Sequence, residues 1–422
     1  MDAELASPKQ SAKQLLALMD VVHARFHIPP QMLARIIRES DPVVTCTEGR
    51  IRFEVFSACA SVYGRLDLLD NGFTADGMYK GTTNVDFNAD MLRALHRVRA
   101  KDGFRLRVGS EAVDVDIDHA AGTQSTVVEK KVDLPQRWLR GFVESGVAQS
   151  RMRLALDITA AEAGRFLRSL PRQKTSARSM WVVPAGRGLR LSQVEPRQNN
   201  GVPLAGAERL RMLEPIVQTA KALKVYVDDK TGASAWVLAF DDSHFSLVLS
   251  PEVWRGFSGE GQTLAALASS SDRRGFAKTK AALAWGDSVD VEDLASTLKV
   301  SEDEVTTYLS ILAAKGVVGF DVVDGAYFHR PLPLPIGDVE KMQPRLRGAK
   351  RLLDKGAVRI VSKTPEVEAD VDGTGCTHRV TVGSKTSTCT CPWYAKHGLE
   401  RGPCKHILAV TMATQTENPD VT

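Results

Sequence analysis

The sequence predicts an α+β, multidomain protein with a repeat-containing α+β body, a winged helix-turn-helix and a small C-terminal ββα module. Three observations support this fold class: strand–helix repeats in the first two-thirds, a helix-rich pattern ending in a hairpin over residues 271–335, and two close pairs of Cys and His near the C-terminus. The 422 residues, 43% of them hydrophobic and 25% charged, suffice for about two to four domains with real cores.

Residues 1–45 are predicted to form an N-terminal helical segment of two helices. Leu15, Leu18 and Val22 recur at helical spacing. Pro29 and Pro30 begin the second helix, whose apolar face carries Met32, Leu33, Ile36 and Ile37. The first residues are acidic and contain no apolar signal region, and no apolar run reaches the length that crosses a membrane. A cytoplasmic protein with reduced thiols is therefore expected.

Residues 46–270 are predicted to form the α+β body, which contains an internal repeat. Each copy combines a strand end, a capping residue or Pro, and a short helix with a large apolar anchor. The copies are residues 85–95, 132–142 and 247–257, with a fainter one at 156–167. Trp138 and Trp254 occupy the anchor position, and a core role is favoured over a binding surface for both.

Residues 151–197 form a strongly basic stretch. Arg and Lys far outnumber Asp and Glu here, and residues 171–178 resemble a mobile basic loop. Two interpretations remain open, a contact with phosphate groups and an ordinary solvated face.

Residues 271–335 are predicted to form a winged-helix-like domain. Asp290 caps a short helix, Ser301 and Glu304 form a capping box for a longer one, and a hairpin surrounds residues 323–325. Acidic residues outnumber basic ones over 281–330, and the helix that would read DNA begins with Glu302, Asp303 and Glu304. This charge repels phosphate, so the sequence favours protein contact or packing over DNA reading for this domain.

The Pro-rich residues 331–335 are a stiff boundary, followed by a basic linker helix over residues 336–355. This helix leads into the C-terminal module, residues 356–422. The candidate contacts to nucleic acid are the basic residues of this end of the chain: Lys350, Arg351, Lys396, Arg401 and Lys405.

Two ligand pairs dominate the C-terminal module. Cys389 and Cys391 are separated by one residue, as are Cys404 and His406. Two such pairs close a tetrahedron, which structural Zn²⁺ requires. A strand is predicted before the first pair, a loop over residues 392–403, and a helix carrying His406 in its first turn. The alternatives are buried reduced cysteines with a core histidine, and a disulfide.

The remaining cysteines carry weaker signals. Cys376 and His378 form a further pair that could join the metal site, against a simple strand or turn position. Cys46 and Cys59 stand in apolar surroundings and are predicted to be core residues.

The ligand order, with Pro-Trp after Cys391 and an aliphatic helix after His406, resembles the SWIM zinc finger over residues 356–413. The resemblance implies a Cys₃His zinc site and a role in binding DNA or protein, without catalysis. The N-terminal part is also similar, for example at residues 81–87, to bacterial SWIM proteins found near AAA+ ATPases and von Willebrand A proteins.

The expected function is therefore non-enzymatic binding of nucleic acid, with DNA foremost, or of protein. The alternative is an adaptor for an ATPase-containing complex without nucleic-acid contact. No P-loop, GxSxG, HExxH or dinucleotide motif is present. Neither a membrane nor a small-molecule substrate is expected as a partner. An enzyme whose site is assembled from distant residues is a third alternative.

Overall fold

The computed structural model of the chain divides into two compact units. Unit 1 comprises Met1–Ser258, Ala284–Val289 and Phe320–Pro333, and unit 2 comprises Gly259–Leu283, Asp290–Gly319 and Leu334–Thr422. The structure describes residues 1–24, 26, 42–77, 80–85, 87–120, 122–131, 134–172, 180–186, 188–197, 201–254, 256–259, 261–268, 273–332, 343–383 and 386–416. The second predicted N-terminal helix and most of the basic loop at 171–178 lie outside these residues.

Unit 1 contains an antiparallel five-stranded sheet in the order β5-β1-β7-β8-β9. Its strands are β1 (Asp2–Leu5), β5 (Phe73–Ala75), β7 (Gly103–Val108), β8 (Ala112–Asp118) and β9 (Gln124–Lys130). Strand β1 lies in the segment predicted to be only helical. It pairs with β5 on one side and β7 on the other, and these partners are too distant along the chain for a local sequence pattern to predict the strand.

An eight-stranded antiparallel sheet forms the centre of unit 1, in the order β10-β14-β15-β16-β4-β3-β2-β6. Its strands are β2 (Val43–Cys46), β3 (Arg50–Phe56), β4 (Val62–Leu69), β6 (Gly81–Asn84), β10 (Arg153–Thr159), β14 (Ala222–Val227), β15 (Ser234–Ala239) and β16 (Ser243–Leu249). A smaller sheet has the order β12-β11-β13, from β11 (Met180–Pro184), β12 (Leu189–Ser192) and β13 (Val202–Leu204). Strands β3 and β4 are buried almost throughout, which places the core on both of their faces.

Helices cover the large sheet. Helix α1 (Pro8–His23) crosses β4 at Gly64, where a Cβ atom would meet the side chains of Leu18 and Val21. The other helices of unit 1 are α2 (Ala89–Arg97), α3 (Gln136–Gln149) and α4 (Ala160–Ser169). Phe56, Tyr63 and Phe142 form an aromatic cluster beside α3. Cys46 and Cys59 are buried, which confirms their predicted place in the core.

The predicted strand–helix repeat is confirmed for the copies at residues 85–95, 132–142 and 156–167. It is wrong for the copy at residues 247–257. Helices α2, α3 and α4 follow residues 85, 132 and 156 as expected, and Asn88 and Thr159 cap two of them. After β16, however, residues 251–254 form turns rather than a helix. Gly256 takes a φ of +63°, and Phe257 donates its N–H to the carbonyl of Ala60, so tertiary contacts fix a different course.

The two anchor tryptophans have opposite environments. Trp138 is 2% exposed and packs on Phe56, so its predicted core role is confirmed. Trp254 is 57% exposed, so the same prediction is wrong for this residue. Trp254 lies in the turn that replaces the predicted helix of this copy.

A buried ion network joins two distant parts of unit 1. Arg65 donates to Asp67 and to Asp321 at 2.7 Å each, and Arg52 also bridges the two carboxylates. All four side chains are at most 3% exposed. Burial alone would raise the pKa of Asp321, but Arg65, Arg52 and Arg50 outweigh it and hold that pKa well below its ordinary value.

Unit 2 contains two groups of elements. The first comprises α5 (Leu264–Ala268), α6 (Arg273–Ala282), α7 (Val291–Leu298) and α8 (Glu302–Ala314). Asp290 caps α7, and Ser301 and Glu304 form the capping box of α8, as the sequence predicts. The strands β17 (Val318–Asp321) and β18 (Ala326–His329) pair and follow α8 where the chain passes between the units. The winged-helix assignment stays a prediction.

The second group is a four-stranded antiparallel sheet with three helices. The strands are consecutive: β19 (Val358–Ser362), β20 (Val367–Asp372), β21 (Thr377–Val382) and β22 (Ser387–Cys389). The helices are α9 (Pro344–Asp354), α10 (Pro392–His397) and α11 (Lys405–Thr416). No helix in the described ranges has the length and apolar content needed to cross a membrane.

Helix α10 occupies a segment predicted to be a loop. Its start is fixed by Cys391, whose sulfur accepts the backbone N–H of Tyr394 in place of the usual capping oxygen, and by Pro392 at the first helical position. The C-terminal module is therefore larger than the predicted ββα unit.

Candidate metal centre

Four ligand side chains meet in unit 2. One ligand atom from each of Cys389, Cys391, Cys404 and His406 lies within 4.8 Å of all the others, and all four residues are buried. The sulfur of Cys389 lies 3.8 Å from Nδ1 of His406. Tetrahedral ligands bound at ~2.3 Å stand about 3.8 Å apart, so the spacing suits one Zn²⁺.

Each ligand is placed by the end of a regular element. Cys389 ends β22, where it pairs with Val380 of β21. Cys391 immediately precedes α10, and Cys404 immediately precedes α11. The sulfur of Cys404 accepts the N–H of Ile407 at 3.5 Å, and that of Cys391 accepts from Tyr394 at 3.4 Å. Backbone donors of this kind stabilise thiolates, the form that binds metal.

The thiols are electrostatically coupled. The bond from Cys389 lowers the pKa of Cys404 to about 4, assisted by His406 and the N–H of Ile407 against the effect of burial. The same bond to Cys404, together with burial, raises the pKa of Cys389. Metal ligation requires all three sulfurs as thiolates, so a bound divalent cation would displace the remaining thiol protons.

The donor set fits structural zinc. Three sulfurs and one imidazole fill all four positions, so no site remains for a reactive water. Nδ1 of His406 faces the sulfur of Cys389 and would be the nitrogen that holds a metal. Nε2 is buried, and no described residue accepts a hydrogen bond from it. The ring of His378 packs 4.4 Å from that of His406. His378 therefore forms a wall of the site.

Cys376 and His378 lie outside the four-ligand set. Cys376 is exposed, and its sulfur lies 3.6 Å from Nε2 of His378. The pair that the sequence marked as a further ligand source is thus adjacent to the metal centre, with His378 in contact with a ligand.

Arg345 of α9 holds the loop that delivers Cys404. Its Nη1 donates to the carbonyl oxygens of Arg401 at 2.7 Å, Gly402 at 3.3 Å and Pro403 at 3.1 Å. The guanidinium carbons of Arg345 and Arg401 lie 4.6 and 5.0 Å from the centroid of the Trp393 ring. Sequence spacing gave no signal for this support, because Arg345 precedes the loop by more than fifty residues.

We expect Arg345→Ala to weaken zinc binding by about 10- to 100-fold, the usual effect of removing support around a metal site. The reason is that three carbonyl acceptors lose their shared donor and the loop before Cys404 loosens. Competition with a chromophoric chelator measures the affinity. Arg347→Ala is the matched control, because Arg347 is exposed on the same helix. Equal affinities in the two variants would contradict this role.

The predicted nucleic-acid contacts differ in exposure. Arg351, Lys396 and Lys405 are exposed, and Lys350 is half-buried. Arg401 is committed to packing: it stacks on Trp393 and donates to the carbonyl of Gly259 at 3.2 Å. As a surface contact, Arg401 is therefore a poorer candidate than the sequence indicated.

Comparison with known proteins places the centre in a family. Residues 378–415 match the model of the SWIM zinc finger, which contains all four ligands. No curated protein matches the chain. Among solved structures, the chain is similar to the PCNA2–PCNA3 complex from Sulfolobus tokodaii and to proliferating cellular nuclear antigen from Entamoeba histolytica. The identities are 9% and 10%, over 60% of this chain and 100% and 98% of those chains, both with a TM-score of 0.41.

Proposed function

Because residues 378–415 form a SWIM zinc finger, we propose that the C-terminal part of unit 2 is a zinc-stabilised module that binds the phosphate backbone of nucleic acid, DNA foremost. Zinc has a structural part in this proposal, and the finger performs no catalysis. The supporting observation is a set of exposed cations beside the metal centre. We call it the basic stripe and define it as Arg347, Arg351, Lys355 and Lys405.

The basic stripe combines two elements. Arg347 and Arg351 are four residues apart in α9, and Lys355, the C-cap residue, follows after four more. The three therefore lie toward one side of the helix. All three are exposed. Lys405 of α11 joins them, because a Cβ atom at Gly348 would lie 3.3 Å from its Cδ. One acidic residue of α9, Asp354, is also exposed on this side, so positive charge predominates there.

The metal centre fixes one member of the stripe directly. Lys405 stands between the ligands Cys404 and His406 and is itself exposed, so bound zinc would anchor its backbone on both sides. Such positioning suits contacts with phosphates, which orient a protein on nucleic acid without reading sequence. The ligand set of three free thiols also requires a reducing compartment, which supports a cytoplasmic location.

The triple variant Arg347→Gln, Arg351→Gln, Lys405→Gln should lose most nucleic-acid affinity at low salt. Each neutralised phosphate contributes about 0.9 to the slope of log K against log salt, so the slope should fall by up to about three. Fluorescence anisotropy with DNA and RNA oligonucleotides at several salt concentrations measures both quantities.

Arg359→Gln is the matched control for charge. Arg359 is exposed on β19 and pairs with Asp372 at 3.1 Å, so it lies within the same module but outside the stripe. Zinc content must be equal in all variants. No binding by the zinc-loaded parent protein at low salt would refute the proposal, as would an equal loss of slope in the control.

A second candidate function is protein contact, including contact with an AAA+ ATPase. It is favoured by the exposed acidic start of α8, where Glu302, Asp303 and Glu304 precede exposed Thr306 and Thr307. This surface repels phosphate and suits a basic protein surface. Partner binding that persists at high salt and without nucleic acid would favour this function.

A further inference from the structure

A second side-chain cluster lies in unit 1, at one end of the five-stranded sheet. Asp102 immediately precedes β7, His119 immediately follows β8, and Ser125 is the second residue of β9. The strands are antiparallel neighbours, and Gly103 pairs with Asp118, which pairs with Gln124. The start of β7, the end of β8 and the start of β9 therefore meet at the same edge.

The three side chains form a hydrogen-bonded chain. Nδ1 of His119 lies 3.1 Å from Oδ2 of Asp102, and Nε2 of His119 lies 3.3 Å from Oγ of Ser125. The side chain of Asp102 is 1% exposed, and that of His119 is 15% exposed. This is the order of contacts in a Ser–His–Asp triad, in which an acid orients an imidazole that activates a hydroxyl.

The carboxylate of Asp102 is held in its charged form. Its oxygens accept the backbone N–H of Ala120 at 3.1 Å and of Arg99 at 2.9 Å. These two bonds, followed by the contact with His119, lower the pKa of Asp102. A charged carboxylate accepts from Nδ1–H of His119. Nε2 is then the basic nitrogen and accepts the hydroxyl hydrogen of Ser125.

The cluster opens onto a basic surface cleft of about 780 Å³. Its lining includes the three members of the cluster and Arg97, Arg99 and Lys101. These three cations are exposed. A ligand that enters the cleft therefore meets positive charge beside the hydroxyl of Ser125, which favours an anionic molecule.

We propose that Ser125, His119 and Asp102 form a hydrolytic site for esters that carry an anionic group. Ser125 is the nucleophile, His119 the general base, and Asp102 the residue that orients the imidazole. The oxygen of Ser125 bonds to the ester carbonyl carbon while its proton passes to Nε2 of His119. The C–O bond then breaks, and the alcohol leaves with that proton. Water hydrolyses the acyl-serine, releasing the acid and restoring the hydroxyl.

This site has no local sequence signature. The chain contains no GxSxG motif, and the members lie at positions 102, 119 and 125, in the order Asp, His, Ser. The triad is defined by geometry and roles, and its order along the chain differs between unrelated folds. A site of this kind would make the protein an enzyme, contrary to the expectation from the sequence, and it is independent of the zinc finger.

The test uses the full-length, zinc-loaded protein and a fluorophosphonate probe, with the adduct located by mass spectrometry. We expect one fast adduct, at Ser125, and none in Ser125→Ala. His119→Gln should slow labelling by on the order of 100-fold or more, the size of a general-base contribution. Ser110, exposed in the turn between β7 and β8, is the internal control for reagent access. Labelling of Ser125 no faster than that of Ser110 would overturn the proposal.

A second measurement tests the substrate class and the fold of the variants. Nitrophenyl acetate and the nitrophenyl monoester of succinic acid differ in a carboxylate, and we expect faster turnover of the anionic ester. The double variant Arg99→Gln, Lys101→Gln should remove that preference, because it removes two of the cations that line the cleft. Circular dichroism and zinc content must match the parent in every variant. In a folded His119→Gln variant, labelling at the parental rate would refute the role of the imidazole.

Discussion

Replacing Cys391 by serine should remove zinc from the protein and unfold the metal-bearing part of unit 2. Structural zinc supplies on the order of 10 kcal/mol of apparent folding free energy in modules of this size. The hydrophobic core around the site is small. It is a cluster of buried residues that includes Ala369, Val371 and Val380 and surrounds the ligands. Without the thiolate of Cys391 the site should no longer hold zinc. The two remaining buried sulfurs and the histidine then lose the cation that holds them together.

Zinc stoichiometry by mass spectrometry and hydrogen exchange of β20, β21 and α11 measure this effect. Unit 1 should keep its protection, because its sheets contain none of the ligands. Cys376→Ser is the matched control: it also removes one thiol from the same sheet region, but from outside the ligand set. An unchanged zinc content in Cys391→Ser would remove the basis of the four-ligand assignment.

Asp321→Asn should destabilise unit 1 by about 3–5 kcal/mol, the usual cost of breaking a buried ion pair. Asp321 accepts bonds from Arg50, Arg52 and Arg65, and an amide cannot neutralise the two guanidinium groups that stay buried. Asp324→Asn is the matched control. Asp324 is 30% exposed and pairs with Arg50 at its edge, so its loss should cost about 0–1 kcal/mol.

The effect of Asp321→Asn on stability should also depend on pH. The folded-state pKa of Asp321 is depressed, so its contribution is fully present above the unfolded value of about 3.9 and disappears as the pH falls toward the folded value. The difference in unfolding free energy between the parent and Asp321→Asn should therefore shrink below about pH 4. Denaturant unfolding at neutral and acidic pH measures it, and a difference that grows on acidification would contradict the network.

The metal ligands could be predicted because their signal is local. Cys389, Cys391, Cys404 and His406 lie within eighteen residues, and few structures other than a metal site need such spacing. The capping box of α8 and the strand before Cys389 are local in the same sense. Helix α10 was missed because its cap is the sulfur of Cys391, which sequence rules do not include among N-cap residues.

The remaining features depend on contacts between distant residues. Arg65 and Asp321 are 256 positions apart, so neither residue type predicts the other. Asp321 is one of the acidic residues from which the sequence predicts an acidic winged helix, but it is buried and neutralised by arginines of β3 and β4. Trp254 is the opposite case, a residue predicted to be buried that is exposed. A local repeat assigned it to the core, and the backbone course around Gly256 left it exposed.

The members of the ion network are synthesised at widely separated times. Arg52 and Arg65 leave the ribosome early, but Asp321 follows more than two hundred and fifty residues later, after the helices α5–α8 of the other unit have been made. Until then, Asp67 is the one carboxylate of the quartet available to both arginines. Asp321, the second carboxylate of the network, is therefore synthesised when about three-quarters of the chain is complete.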